Sequence, residues 1–202
     1  MSARLMLATN NPGKQRELRE LLVDLSGFRL VTPQDLGISL DVDEGGETYA
    51  ENAALKARAF MEASGIMALA DDSGLEVDSL DGAPGLHSAR YSPKAGATDA
   101  DRRTYLLEKL AGKPRPWMAR FRATIAIAVP GEALRFTEGA CEGEIIPEER
   151  GTGGFGYDPI FLVAGANQTM AELDEAEKNC ISHRGVAMAA AKELLKEIAA
   201  AS

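Results

Sequence analysis

A mixed α/β fold is the expectation from three features of this chain. Short apolar runs end at polar or acidic loops, as at residues 5–8 and 67–70. Other segments repeat apolar residues at helical spacing, as Leu18, Leu21, Leu22 and Leu25 do. Residues 117–129 alternate apolar and polar side chains before Pro130-Gly131 turns the chain back, the pattern of a long antiparallel hairpin. Strands are therefore expected to pair both ways, with no clear linker between lobes. With 202 residues, 45% of them apolar, the chain can bury a real core, and residues 1–202 read as a single domain.

The elements follow in order. The strand over 5–8 meets Thr9, Asn10 and Asn11, and Pro12 then suits the first position of a helix with Asn11 as its N-cap. Strand, polar loop and helix N-terminus make an opening unit of the kind that holds anions. The next helix, over 47–61, is entered through Thr48 with Glu51 three residues on, a capping-box spacing. The strand over 67–70 is expected to stop at Asp71 and Asp72. A Gly- and Asp-rich loop runs from there to Gly85, and a helix follows over about 99–110. The hairpin joins 117–129 to 134–146. Gly151, Gly153, Gly154 and Gly156 form a pliable loop before a strand over 160–163. Ala187, Ala191, Leu194, Leu195 and Ile198 give the last helix one apolar face.

Charge and cysteine content narrow the function. The 22 basic and 31 acidic residues leave a net charge of −9, which repels phosphate backbones and argues against general DNA or RNA binding. A single nucleotide remains compatible where a divalent metal offsets its charge. Cys141 and Cys180 are too few and too far apart for a zinc cluster or a disulfide framework, as in a reducing cytoplasm. No apolar run reaches the roughly 18 to 20 residues that span a membrane, and Thr9 and Asn10 arrive before a signal-like stretch could form. Neither membrane insertion nor secretion is expected.

Several residue groups could carry chemistry. Thr9, Asn10, Asn11, Pro12, Gly13 and Lys14 put hydroxyl, amides, a helix N-terminus and an ammonium within one turn, all suited to phosphate; the plain alternative is a capped helix with a solvated lysine. Gly13-Lys14 is not a P-loop, because Gln15 replaces the magnesium-binding Ser or Thr and no Gly stands five residues earlier. Asp41, Asp43, Glu44, Glu47 and Glu51 crowd one loop and helix start. Asp71 and Asp72 are expected to repel one another unless a cation lies between them, and oxygen donors without nearby His or Cys favour magnesium. Lys56 falls inside the apolar stripe of its helix, between Tyr49, Ala53 and Phe60, so it either snorkels outward or points into a polar site. Phe155, Gly156, Tyr157 and Asp158 offer an aromatic ring on a pliable backbone beside a carboxylate, either an ordinary turn or a stacking surface for a planar ligand. Ser182, His183 and Arg184 open the final helix with hydrogen-bonding groups.

These motifs, in their order along the chain, are specific. Residues 8–14 (ATNNPGK), 48–53 (TYAENA), 70–75 (ADDSGL), Pro84-Gly85 with 88–91 (SARY), 153–159 and 182–184 (SHR) resemble those of the inosine triphosphate pyrophosphatase family, in its bacterial dITP/XTP-hydrolysing branch. The resemblance implies two lobes around a long central sheet, with the nucleotide in the cleft between them. It also implies a homodimer and magnesium-dependent hydrolysis of non-standard purine triphosphates to monophosphate and pyrophosphate. By position, the segment from Thr9 to Lys14 and Lys56 would hold the triphosphate, while Glu44 and Asp72, with Asp71 in support, would bind magnesium. Asp41, Asp43 and Glu47 compete with Glu44 for that role. Asp72 would also accept a proton from the water attacking the α-phosphorus, and Ser73 would contact substrate. Phe155 to Asp158, Lys178, His183 and Arg184 would form the base and sugar side. A γ-phosphohydrolase and a nucleotide sensor that does not cleave are the alternatives.

Overall fold

The computed structural model describes residues 2–201. Six strands order as β2-β1-β3-β4-β5-β6 in one mixed sheet. They are β1 (Ala3–Leu7), β2 (Phe28–Val31), β3 (Ala68–Val77), β4 (Trp117–Ala128), β5 (Arg135–Ile145) and β6 (Phe161–Val163). The helices are α1 (Pro12–Leu21), α2 (Tyr49–Ser64), α3 (Asp99–Leu110), α4 (Glu175–Ile181) and α5 (His183–Ala201). β1 runs parallel to both β2 and β3, with Met6 opposite Val31 and Ala68, while β5 and β6 are antiparallel. The mixed pairing expected from the sequence is present.

The chain separates into two compact units: Met1–Asp72 with Ala123–Gly139 and Val186–Ser202, and Ser73–Arg122 with Ala140–Gly185. In the first, the Leu5 to Leu7 half of β1 is buried on both faces. Leu5 and Leu7 join Leu18, Leu22, Ile125 and Leu195 in one apolar cluster, and Met6 and Ala8 join Ala53, Ala57 and Phe60 in another. Alternation at period two sends neighbouring side chains to opposite faces, so a strand covered by helices on both sides reads as a continuous apolar run. The second unit packs Leu75, Val77, Leu106, Leu110, Trp117 and Phe121 against Tyr157, Ile160 and Phe161, with the Phe121 and Phe161 rings 4.5 Å apart.

Local chemistry sets the helix ends. Asn11 caps α1, its side-chain oxygen accepting from the amides of Gly13 and Lys14 at 2.8 and 3.2 Å, and Pro12 occupies the first turn, where its missing N–H is harmless. Thr48 and Glu51 complete the capping box of α2, which begins at Tyr49, two residues later than the spacing suggested. Two further differences have clear causes. β3 does not stop at Asp71 and Asp72 but continues to Val77, because both acids, 1% and 6% exposed, are matched by lysines and need no solvent. A separate short helix, α4, precedes the last one, started by its own capping box of Asp174 and Glu177.

Both cysteines are free, Cys141 buried and Cys180 exposed. Burial pushes the Cys141 thiol up to about 11, and only the thiolate is nucleophilic. Iodoacetamide at pH 8 should therefore label Cys180 and spare Cys141 in the native protein, as read by peptide mass spectrometry. Equal labelling of the two would contradict this packing of β5.

Candidate active site

The first unit assembles a charged cluster from three elements. α2 presents Lys56 on its apolar face, and its Nζ lies 2.7 Å from Asp72 Oδ1 and 3.0 Å from Glu44 Oε1. The Lys56 and Asp72 side chains are 10% and 8% exposed, and that of Glu44 is 33%. Lys56 therefore points into a polar site and does not snorkel. Asp71 has its own partner: Lys14 Nζ, from the first turn of α1, lies 3.2 Å from its Oδ2. Instead of crowding one cation, the adjacent acids of β3 are matched by separate lysines from separate helices.

Burial and charge decide the two partners differently: the carboxylates prevail at Lys56, and burial prevails at Asp72. Burial pulls the Lys56 ammonium down, but the carboxylates of Asp72, Asp71 and Glu44 together hold its pKa above the ordinary lysine value. Burial raises the Asp72 pKa above the ordinary carboxylate value, against the opposing pull of Lys56 and Lys14.

Asn52, one helical turn before Lys56, is a member that sequence reasoning left out of the site. Its Nδ2 donates to Asp72 Oδ2 at 3.4 Å, and its Oδ1 accepts from the Gly46 amide at 2.9 Å. It thus ties the acidic loop to Asp72, and its i, i+4 spacing from Lys56 was the available signal. Asp41, Asp43 and Glu47 are exposed, and among the described residues Glu44 is the acid of that loop paired with Lys56. Of the opening motif, Thr9 is buried, and its hydroxyl accepts from the Asn11 amide at 3.2 Å. Asn10 donates to the Leu40 carbonyl at 2.8 Å, holding the strand-to-helix turn to the start of the acidic loop.

The donor set suits a hard divalent cation. Two carboxylates, Glu44 and Asp72, already meet at one positive charge. No group of three or more His, Cys, Asp or Glu side chains gathers around one point among the described residues. A cation held here would take its remaining ligands from phosphate and water, which is the habit of magnesium.

The second unit collects the aromatic and donor groups. The Phe155 ring is half-buried, with Lys178 Nζ 5.6 Å and Arg184 Cζ 5.5 Å from its centre. Asp158, 5% exposed, accepts from Lys178 Nζ at 2.9 Å and from the Phe155 amide at 3.0 Å. Arg184 donates to Ser73 Oγ at 2.9 Å. His183 stacks on Phe121, with ring centres 4.8 Å apart. Tyr157 is buried and donates its hydroxyl to the Ser88 carbonyl at 2.9 Å, and burial pushes that hydroxyl's pKa up. Gly156 adopts φ +63°, a left-handed conformation open to glycine at little strain.

The sequence profile of the Ham1 family matches residues 5–194. The chain belongs to the Ham1 family. It is 49% identical over 198 residues to a protein of Desulforamulus reducens named dITP/XTP pyrophosphatase, covering 96% of each chain. Another protein of that name, from Thermus thermophilus, is 47% identical over 197 residues, covering 96% of this chain and 92% of its own. Among solved structures, a HAM1 protein from Coxiella burnetii superposes with a TM-score of 0.86 at 42% identity, over 96% of this chain and 99% of that one. The mixed α/β fold is thus that of a Ham1 protein.

Because Lys56 compensates a buried carboxylate, Lys56→Met should lower unfolding free energy by roughly 3–5 kcal/mol, the usual effect of leaving one partner of a buried pair alone. Adding Asp72→Asn to that variant should restore part of the loss. Urea denaturation of the two variants checks this, and a loss under about 1 kcal/mol for Lys56→Met would show the pair to be effectively solvated.

Proposed function

We propose that this Ham1 protein hydrolyses non-standard purine nucleoside triphosphates (ITP, dITP and XTP) to the monophosphate and pyrophosphate. The observation that carries the reading is the meeting of Glu44 and Asp72 at a buried cation, with the second lysine, Lys14, on neighbouring Asp71. The names of its relatives from Desulforamulus and Thermus support the substrate class.

A triphosphate brings roughly four negative charges, which a protein of net charge −9 accepts only where local positive groups offset them. Lys14 and Lys56 supply two, and the amides at the start of α1 add the positive end of a helix dipole. Glu44 and Asp72 would hold magnesium, which when bound would supply further positive charge and make water more acidic. Asp71 supports the site by fixing Lys14. Asp72 takes the proton of the water that attacks the α-phosphorus, and Lys14 and Lys56 steady the departing pyrophosphate. Phe155 stacks on the base, and Lys178 and Asp158 keep its loop in place. Arg184, and His183 when its facing nitrogen is protonated, are donors that match a 6-oxo group and oppose the 6-amino group of adenine.

A homodimer is proposed from the family resemblance alone. A cytoplasmic setting fits the two free cysteines, and no helix among the described residues is long and apolar enough to cross a membrane.

A panel of nucleoside triphosphates resolved by anion-exchange chromatography tests the activity. ITP and XTP should yield monophosphate with pyrophosphate, and chelator-stripped protein should regain turnover on adding magnesium. Diphosphate with phosphate would instead mean a γ-phosphohydrolase, and no turnover a nucleotide sensor.

Asp72→Asn should lower kcat by about 10² to 10⁴-fold, the usual contribution of a general base, while changing ITP binding much less. A near-normal kcat in that variant would move the proton acceptor elsewhere.

A further inference from the structure

We propose that Asp99 and Arg103 are positioning residues that clamp the Gly156 peptide and thereby fix the ring of Phe155 for the base. The inference rests on the reading of residues 155–158 as the base side of the site.

Phe155 has Lys178 and Arg184 beside its ring, but its backbone lies in a glycine-rich stretch. Its ring is half-buried, and it stands between Gly154 at φ +70° and Gly156 at φ +63°, so the backbone on either side is intrinsically free. Backbone hydrogen bonds therefore set where the ring points. On one side, the Phe155 amide donates to Asp158 Oδ2 at 3.0 Å. On the other, both groups that flank the Gly156 Cα are held from α3. The Gly156 amide donates to Asp99 Oδ2 at 2.9 Å, and its carbonyl accepts from Arg103 Nη1 at 2.8 Å.

The two holding residues lie four apart on one face of the helix, and neither belongs to its capping box. The capping box of α3 is made by Thr98 and Asp101, which leaves the Asp99 carboxylate to Arg102, 2.5 Å away, and to the loop. Arg103 is only 12% exposed and is braced by Glu149, Nε to Oε1 at 2.8 Å and Nη2 to Oε2 at 2.9 Å. This two-pronged pairing fixes the guanidinium plane and leaves Nη1 to donate to the Gly156 carbonyl. A residue whose only role was to solubilise α3 would not need that brace.

The test is the kinetics of Arg103→Met and Asp99→Ala on ITP, with inorganic pyrophosphate as a competitive probe of the phosphate side and Phe155→Ala as reference. If the clamp orients the ring, both variants should raise KM by about tenfold with kcat within about twofold, the signature of binding lost equally in ground and transition states. The inhibition constant for pyrophosphate should stay within about twofold of the parent value. Asp99→Asn, which keeps an oxygen acceptor for the Gly156 amide, should recover most of the loss. Parallel changes in kcat, KM and pyrophosphate inhibition would show a general structural role and overturn the proposal. A raised KM in Phe155→Ala with no change in the two clamp variants would overturn it while leaving the base reading intact. An unchanged KM in Phe155→Ala would overturn the base reading and the proposal with it.

Discussion

The ammonium of Lys56, held between Asp72 and Glu44, is the interaction around which the first unit is organised. Bringing two buried aspartates, a part-exposed glutamate and two largely covered lysines together is costly unless each charge finds an opposite within contact distance. The fold meets that condition by drawing from three elements: β3 supplies both aspartates, α2 supplies Lys56 and Asn52, and α1 supplies Lys14. Strand alternation makes the division possible, since consecutive residues of β3 face opposite ways. Acidic neighbours that would repel one another on a flexible loop are thereby partnered separately. The same arrangement leaves two carboxylates sharing one cation, which is the geometry a divalent ion could take over.

The second unit solves a different problem with the same means. A glycine-rich segment is needed where the chain must turn sharply around an aromatic ring, yet glycine also releases that segment to wander. Asp158 answers on one side by accepting from both the Phe155 amide and Lys178, so one buried carboxylate fixes loop and cation together. Removing its charge would release both, which is why a conservative change there would not act locally. α3 answers on the other side through side chains far away in sequence. Rigidity at the ring thus comes from Asp158 within the loop on one side and from α3 on the other.

Much of this was legible from local chemistry. Asn11 before Pro12 and Thr48 before Glu51 specify helix starts within a few residues, and the structure contains both caps. The alternation through β4 holds from Trp117 to Arg122 but not beyond, because residues 123–128 are covered on both faces. Lys56 on an apolar stripe left open whether it snorkels outward or points into a polar site, and its burial between carboxylates decides for the second. The strand end at Asp71 was misread because two acids in a row look like solvent when the lysines that neutralise them lie 57 and 16 residues away. Asp99 and Arg103 gave no sign at all, since an acid in the first turn and a base four residues on are what an ordinary solvated helix shows.

The long-range pairs explain how an acidic chain can be a plausible home for a polyanion. Net charge describes the far field, where −9 repels phosphate and discourages nucleic acid. Within a few ångströms the balance depends on which groups are desolvated together, because attraction rises steeply as water is excluded. Lys14 and Lys56 are among the least exposed lysines of the ion pairs, at 16% and 10%, whereas Lys94 and Lys196, at 63% and 60%, are largely left to solvent. Positive charge is therefore concentrated where screening is weakest. On the proposed reading, an incoming phosphate would compete there with carboxylates for the same ammoniums, so its binding would exchange partners and not simply add a contact. Such an exchange would favour a ligand that brings its own divalent cation, because Asp72 and Glu44 would then keep a positive partner if Lys56 turned to phosphate.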